Sequence, residues 1–168
     1  MDAIEAILSR RSIRKYTSQK ISDQVIKDLL EAAMSAPSAN NEQPWHFIII
    51  NEHKILEDIP KFHPYSGMLR EAPLAILVCV DLDAGSEGFL VQDGSAATEN
   101  ILIAAHAKGL GAVWLGIYPL KERITGMRKL LAIPERILPL SLISIGYPAE
   151  RIPRKNCYQP SRVHNNRW

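Results

Sequence analysis

Three guanidinium groups and a hydroxyl stand together in Arg10-Arg11-Ser12-Ile13-Arg14. A guanidinium is a planar fork that donates two hydrogen bonds at once, which suits it to phosphate. A basic pentamer taken alone is ordinarily a solvated charge run. Phosphate binding therefore calls for a second contributor, and Arg154-Lys155 supplies one only if the fold brings it close. A different chemistry is offered by Ser35-Ala36-Pro37-Ser38-Ala39-Asn40-Asn41-Glu42-Gln43-Pro44-Trp45-His46-Phe47. Its neutral donors and acceptors, in a loop stiffened by two prolines, can read the polar edge of a heterocycle without adding charge. The same segment also suits an ordinary helix-to-strand connection.

The common catalytic signatures are absent. Gly109-Leu110-Gly111-Ala112-Val113-Trp114 begins like a dinucleotide fingerprint, but Trp114 fills the third glycine position. The segment also ends a helix and opens a strand, the reverse of the Rossmann order, so it reads as a helix stop. No G-x-S-x-G exposes a serine nucleophile and no G-x-x-x-x-G-K-[ST] cradles a nucleotide triphosphate. The five histidines form no H-x-x-x-H pair and the two cysteines no C-x-x-C, so no metal site is expected. No side chain is assigned as a catalytic group.

Composition bounds the rest. The 168 residues are 46% hydrophobic, and a chain of this length buries about 70% of its unfolded surface without help from disulfide or metal. One domain over 1–168 is expected. Cys79 and Cys157 are too isolated to frame a disulfide scaffold. With no signal-like start and no apolar run near the roughly 18 residues of a spanning helix, a soluble, cytoplasmic protein with no membrane partner is expected. The net charge of +2 hides an uneven distribution. Residues 10–20 carry five basic and no acidic side chains, residues 149–168 carry five basic side chains against Glu150, and residues 21–148 carry a net of −5.

The elements that must position these groups follow from periodicity. Asp2 caps a short helix with Ile4, Ile7 and Leu8 at helical spacing, and Ser22 and Asp23 open a second with Val25, Ile26, Leu29, Leu30 and Ala33 on one stripe. Strands are predicted at 47–50, 74–80, 112–117 and 140–147, with a brief helix around Ile55, Leu56 and Ile59 and irregular chain over 61–73. The longest helix presents Val91, Ala96, Ala97, Asn100, Ile101, Ala104 and Ala105, and its small side chains suit a central, closely packed position. Gly109 ends it, a further helix covers 120–131 with Ile124, Met127 and Leu131 inward, and 148–168 is an extended tail. Alternating helices and strands point to a mixed sheet with helices packed on it.

In this order the segments resemble the FMN-dependent nitroreductase family over essentially the whole chain. The resemblance rests on R-R-S-I-R-K-Y, S-A-P-S-A-N-N-E-Q-P-W-H-F, A-P-L-A-I-L-V, N-I-L-I-A-A-H-A-K-G-L-G-A-V-W-L-G, I-G-Y-P-A-E and S-R-V-H-N-N-R-W. It implies an α+β fold with a mixed, mainly antiparallel sheet flanked by helices, assembled as an intertwined homodimer with FMN at the subunit interface. It assigns the FMN phosphate and ribityl chain to Arg10, Arg11 and Ser12, and the flavin pyrimidine to Arg14. Pro37, Ser38, Ala39, Asn41 and Gln43 are to reach the flavin from the partner subunit. Backbone at Leu115, Gly116 and Ile117 is to meet its reactive N5, and Arg154 and Lys155 are to close on the phosphate. The implied chemistry is ping-pong transfer of hydride from NADH or NADPH through FMN to an electron-poor small molecule such as a nitroaromatic or quinone. Specialised relatives that remove halide or fragment flavin give an alternative chemistry, and polyanion binding by the basic ends a non-enzymatic one. The six motifs in order argue against nucleic acid as partner. Two departures stand out: Cys157 precedes Tyr158 where many relatives carry arginine, and the stretch Tyr65-Ser66-Gly67-Met68-Leu69-Arg70 lacks the usual flavin-facing lysine or asparagine. About ten residues separate Asp81 from Val91 where larger relatives insert helices, which implies a compact member with a more open active site.

Overall fold

The computed structural model describes residues 1–84 and 88–168. Residues 85–87, inside the loop expected between Asp81 and Val91, lie outside the described residues. Helix α1 (Ala3–Ser9) starts where Asp2 accepts a hydrogen bond from Glu5 N at 3.0 Å, and α2 (Asp23–Met34) starts where Ser22 Oγ accepts from Val25 N. These caps satisfy backbone donors that a helix start leaves free. Strand β1 (Trp45–Ile50), helix α3 (His53–Asp58) and strand β2 (Leu74–Asp81) follow, then α4 (Leu90–Ala107), β3 (Gly111–Gly116), α5 (Lys121–Leu131) and β4 (Ile137–Gly146). A single helical turn at Ile59–Lys61 follows α3, and within 61–73, expected to be irregular, another forms at Gly67–Arg70.

The four strands form one sheet in the order β1-β2-β4-β3, and every ladder is antiparallel. The parallel component expected of a mixed sheet is confined to a single bridge, Ser12 with Ala112. Strand β2 is buried along its whole length because its two faces meet different layers. Leu74, Ile76 and Val78 pack with α2 and α4 residues such as Leu29, Ala97 and Ile101. Ala75, Leu77 and Cys79 face Leu56, Ile59, Leu69 and Met127 on the other side. Burial there pushes the Cys79 thiol up to about 12, so it serves as a small packing group.

Helix α4 lies between the sheet and α2. Ala97, Ile101 and Ala105 of its expected face are buried, whereas Ala96 and Ala104 are half-buried against the α2 side. Asn100 Nδ2 donates to Ala32 O at 2.9 Å there. Gly109, at φ +77°, ends the helix, and Leu110 N donates back to Ala105 O at 2.8 Å. The stripe on α1 behaves differently, because Ala6 is its buried residue while Ile4, Ile7 and Leu8 are exposed. Strand β4 begins at Ile137, before the expected start at Leu140, because Pro139 sits at a register shift opposite Cys79. A bulge spares proline the ladder bond it cannot donate.

The close approach of α4 to the sheet depends on Gly94. A Cβ there would come within 2.4 Å of Leu140 Cδ2 and 2.8 Å of Val80 Cγ1. Gly94→Val is expected to lower stability by about 1–3 kcal/mol through overpacking, measured as a lower denaturation midpoint at unchanged m value.

Candidate functional site

The N-terminal segment begins to pair with β3 and then leaves it. Ile13 N donates to Ala112 O at 3.0 Å, so the peptide groups of Ala112 face the outer edge of the sheet. Strand alternation turns those of Trp114 and Gly116 the same way. The chain from 15 to 17 no longer follows β3: Ala149 N donates to Lys15 O and Thr17 N to Tyr147 O, both at 2.9 Å. The outer edge of β3 beyond Ala112 is therefore left open. A cleft occupies the gap, lined by Arg14, His63, Tyr65, Met68, Trp114, Leu115, Gly116 and Arg123.

Gly116 O accepts from Arg123 Nη1 at 2.7 Å and from His63 Nε2 at 3.1 Å. A carbonyl only accepts, so Nε2 carries the proton, and Nδ1 is left a buried lone pair with no hydrogen-bond partner among the described residues. His63 is 1% exposed, and burial followed by the Arg123 charge lowers its pKa from the usual 6.5. The ring is therefore neutral at neutral pH. Of the three residues assigned to backbone contacts, Leu115 turns its peptide toward β4 and Ile117 N donates to Leu140 O at 3.2 Å. Gly116 is the one whose N–H faces the open edge.

The two basic ends converge. Arg11 spends four of its five N–H donors on main-chain carbonyls, those of Leu8, Arg10, Pro153 and Lys155. Its guanidinium thus latches the tail to the end of α1. Glu150 Oε1 accepts from Arg14 N at 2.6 Å and Lys15 N at 3.1 Å, so the lone acid of the tail fixes the backbone of the basic segment. Arg10 faces Glu99 of α4 and Arg154 faces Glu5 of α1, each at 3.5 Å. Such partly exposed pairs hold little energy. Ser12 lies on the bridge to Ala112, and the Lys155 side chain is exposed.

The loop carrying Pro37, Ser38, Ala39, Asn41 and Gln43 is built on the first turn of α4 instead. Ala39 N donates to buried Asp93 Oδ1 at 3.1 Å, and Gln43 N donates to Ser38 Oγ at 3.0 Å. Asn40, Asn41 and Gln43 adopt positive φ values of 50°, 57° and 50°, a conformation that asparagine tolerates best among side chains with a Cβ. This loop lines neither the β3-edge cleft nor the groove that Arg11 and Arg154 share with Glu5 and His106. Sequence reasoning missed His63, Trp114 and Arg123, and left the 65–70 stretch without a role. Tyr65 and Met68 of that stretch line the cleft. His63 and Arg123 belong to no spaced motif, and Trp114 lies in the G-L-G-A-V-W run, but only the fold brings 63, 114 and 123 to one carbonyl and its surroundings.

An antiparallel sheet between helical layers, with a cationic, aromatic-walled cleft on its open edge, defines an α+β protein. The nitroreductase family model matches residues 7–65 and 61–147. A Methanothermobacter thermautotrophicus protein, provisionally named an NADH dehydrogenase/NAD(P)H nitroreductase, is 49% identical over 100% of this chain and 88% of its own. A Parabacteroides distasonis crystal structure with the same provisional name superposes with a TM-score of 0.96 at 40% identity, covering 99% of this chain and 98% of that one. A Desulfovibrio desulfuricans protein assigned provisionally as a nitroreductase and solved with FMN superposes at 0.84, with 32% identity, covering 100% and 98%. The chain belongs to the nitroreductase family.

His63 gives the site a pH signature. Because its folded pKa lies below 6.5, the unfolded chain takes up the proton first, so the stability it contributes is complete above about pH 6.5 and is lost as pH falls below it. His106, lowered by burial and by Arg10 and Arg11, acts in the same direction. His63→Gln is expected to shrink the loss of unfolding free energy between about pH 7.5 and about pH 5.5, measured by denaturant titration.

Proposed function

We propose that the chain is an FMN-dependent oxidoreductase that takes reducing equivalents from NADH or NADPH and delivers them to an electron-poor small molecule, a nitroaromatic or quinone, in ping-pong order. The observation that carries this reading is the open edge of β3, where the Gly116 N–H and the Arg14 guanidinium border one cleft. FMN combines a flat ring bearing hydrogen-bond acceptors with a phosphate dianion, and the donor set here fits both ends. When bound, FMN supplies a centre that accepts hydride from the nicotinamide and returns two electrons to the acceptor.

The residues of this chain bind and orient. Gly116 N–H donates to an acceptor on the ring edge, held in place because His63 and Arg123 fix the following carbonyl. Arg14, whose charge does not titrate, favours added negative charge in the cleft. Arg10, Ser12, Arg154 and Lys155 hold the phosphate, which replaces the weak carboxylate partners of the two arginines. Arg11 contributes by holding the tail close enough for Arg154 and Lys155 to serve. No side chain is needed as a nucleophile.

The active unit is a homodimer, and the 37–43 loop of one copy completes the cleft of the other. The exposed apolar residues of α1 and of the tail, including Tyr158, Val163 and Trp168, support this arrangement as surfaces covered by a second copy. Sedimentation is expected to give a dimer at micromolar concentration, and removal of 156–168 to weaken it.

Purified protein is expected to be yellow or to become so on addition of FMN, and to be bleached anaerobically by NADH or NADPH. Arg14→Gln is expected to weaken FMN binding roughly tenfold and to make the flavin harder to reduce. Colourless protein that FMN cannot restore would overturn the reading.

A further inference from the structure

Of the seven arginines that precede the tail, three are paired with carboxylates among the described residues. Arg10, Arg128 and Arg136 each face a carboxylate, at Glu99, Glu135 and Asp81. The two guanidinium groups that line the β3-edge cleft, Arg14 and Arg123, face none among the described residues, and no acidic side chain lines the cleft. Arg14 belongs to the proposed cofactor contacts. Arg123 does not, and its placement is costly. It sits in the first turn of α5, whose positive dipole end disfavours a cation, and the helix start there has no side-chain cap. One of its N–H groups donates to Gly116 O, and its guanidinium carbon lies 5.7 Å from the centroid of the Tyr65 ring. That cation–π contact and the carbonyl hold the fork in one orientation. Tyr65 stands well exposed on the rim and Trp114 is partly exposed on the same wall. The outer part of the cleft therefore joins two aromatic rings to a fixed, uncompensated cation with donors to spare.

We infer that Arg123 is a specificity-determining residue, and that the acceptor this site prefers is a planar aromatic compound bearing a carboxylate or comparable anionic substituent. The inference rests on the oxidoreductase reading above. Tyr65 and Trp114 take the ring, and the free N–H groups of Arg123 take the anion in a two-point contact that a neutral acceptor cannot make. A site that gains a charge-assisted pair with one acceptor and none with its neutral analogue discriminates through kcat/KM.

The test uses FMN-loaded full-length protein with 4-nitrobenzoate and nitrobenzene as a matched pair, with NADH as reductant, and calorimetric titration with benzoate, which needs no turnover. Wild type is expected to favour 4-nitrobenzoate by roughly tenfold or more in kcat/KM and to bind benzoate. Arg123→Met is expected to abolish that preference and weaken benzoate binding roughly tenfold, with kcat/KM for 4-nitrobenzoate falling roughly tenfold further than that for nitrobenzene. Arg123→Lys, which keeps the charge, is expected to recover part of the preference. An equal loss for both acceptors in Arg123→Met would assign the residue to support of Gly116 alone and overturn the inference. A raised KM for NADH with unchanged acceptor preference would overturn it too, by giving the cation to the reductant. Failure of NADH to bleach the flavin in wild type would instead strike the oxidoreductase reading, and benzoate binding lost in Arg123→Met would still decide for the anion site.

Discussion

Everything at the candidate site depends on where one hydrogen-bonded pairing stops. Ile13 N meets Ala112 O, and the next residues of the N-terminal segment turn away to pair with 147–149. Had the segment continued along β3, Trp114 and Gly116 would have spent their outward N–H and C=O groups on a fifth strand. Because it departs, an edge strand keeps unpaired donors in a protected place, which is the local requirement for reading a flat heteroaromatic ring. The same departure carries Arg14 across the mouth of the gap and leaves room for His63 and Arg123 to claim Gly116 O. Tyr16 secures the turn from inside, its buried hydroxyl donating to Ile13 O at 2.7 Å with a pKa pushed up to about 12 by burial.

Charge is organised around that gap. The acidic body neutralises most of its own cations, and the acids near the basic ends are used structurally. Glu150 binds backbone N–H groups of residues 14 and 15, while Glu5 and Glu99 hold Arg154 and Arg10 loosely. A near-neutral chain thus concentrates positive potential at one edge of one strand. Focusing of this kind acts on anions at the cleft without requiring a large net charge.

Much of this was legible in sequence because local signals coincide with burial. The cap at Asp2, the stop at Gly109 and the apolar run of β2 each demand one local structure whatever surrounds them. Convergence of the basic ends was conditional on topology, and the ladders at 15–17 and 147–149 meet that condition. What periodicity could not yield was direction. The stripe of Ile4, Ile7 and Leu8 is helical, yet it faces outward, since a seven-residue helix lying along α4 buries only Ala6. Arg11 was indistinguishable by type from Arg10, and only the tail carbonyls within its reach separate their roles. His63 and Arg123 are far apart in sequence and share an acceptor that has no side chain, so no motif records them.

An open strand edge and exposed apolar side chains are ordinarily liabilities, since both invite association with the wrong chain. The β3 edge is flanked by the charges of Arg14 and Arg123, which disfavour pairing with another strand while admitting an anion. Apolar side chains are also exposed on α1 and on the tail, where His164 stacks with Trp168, 4.4 Å between ring centroids. The Arg11 latch fixes the point where the tail leaves the body, and so determines both how far the tail reaches and where Arg154 and Lys155 are held.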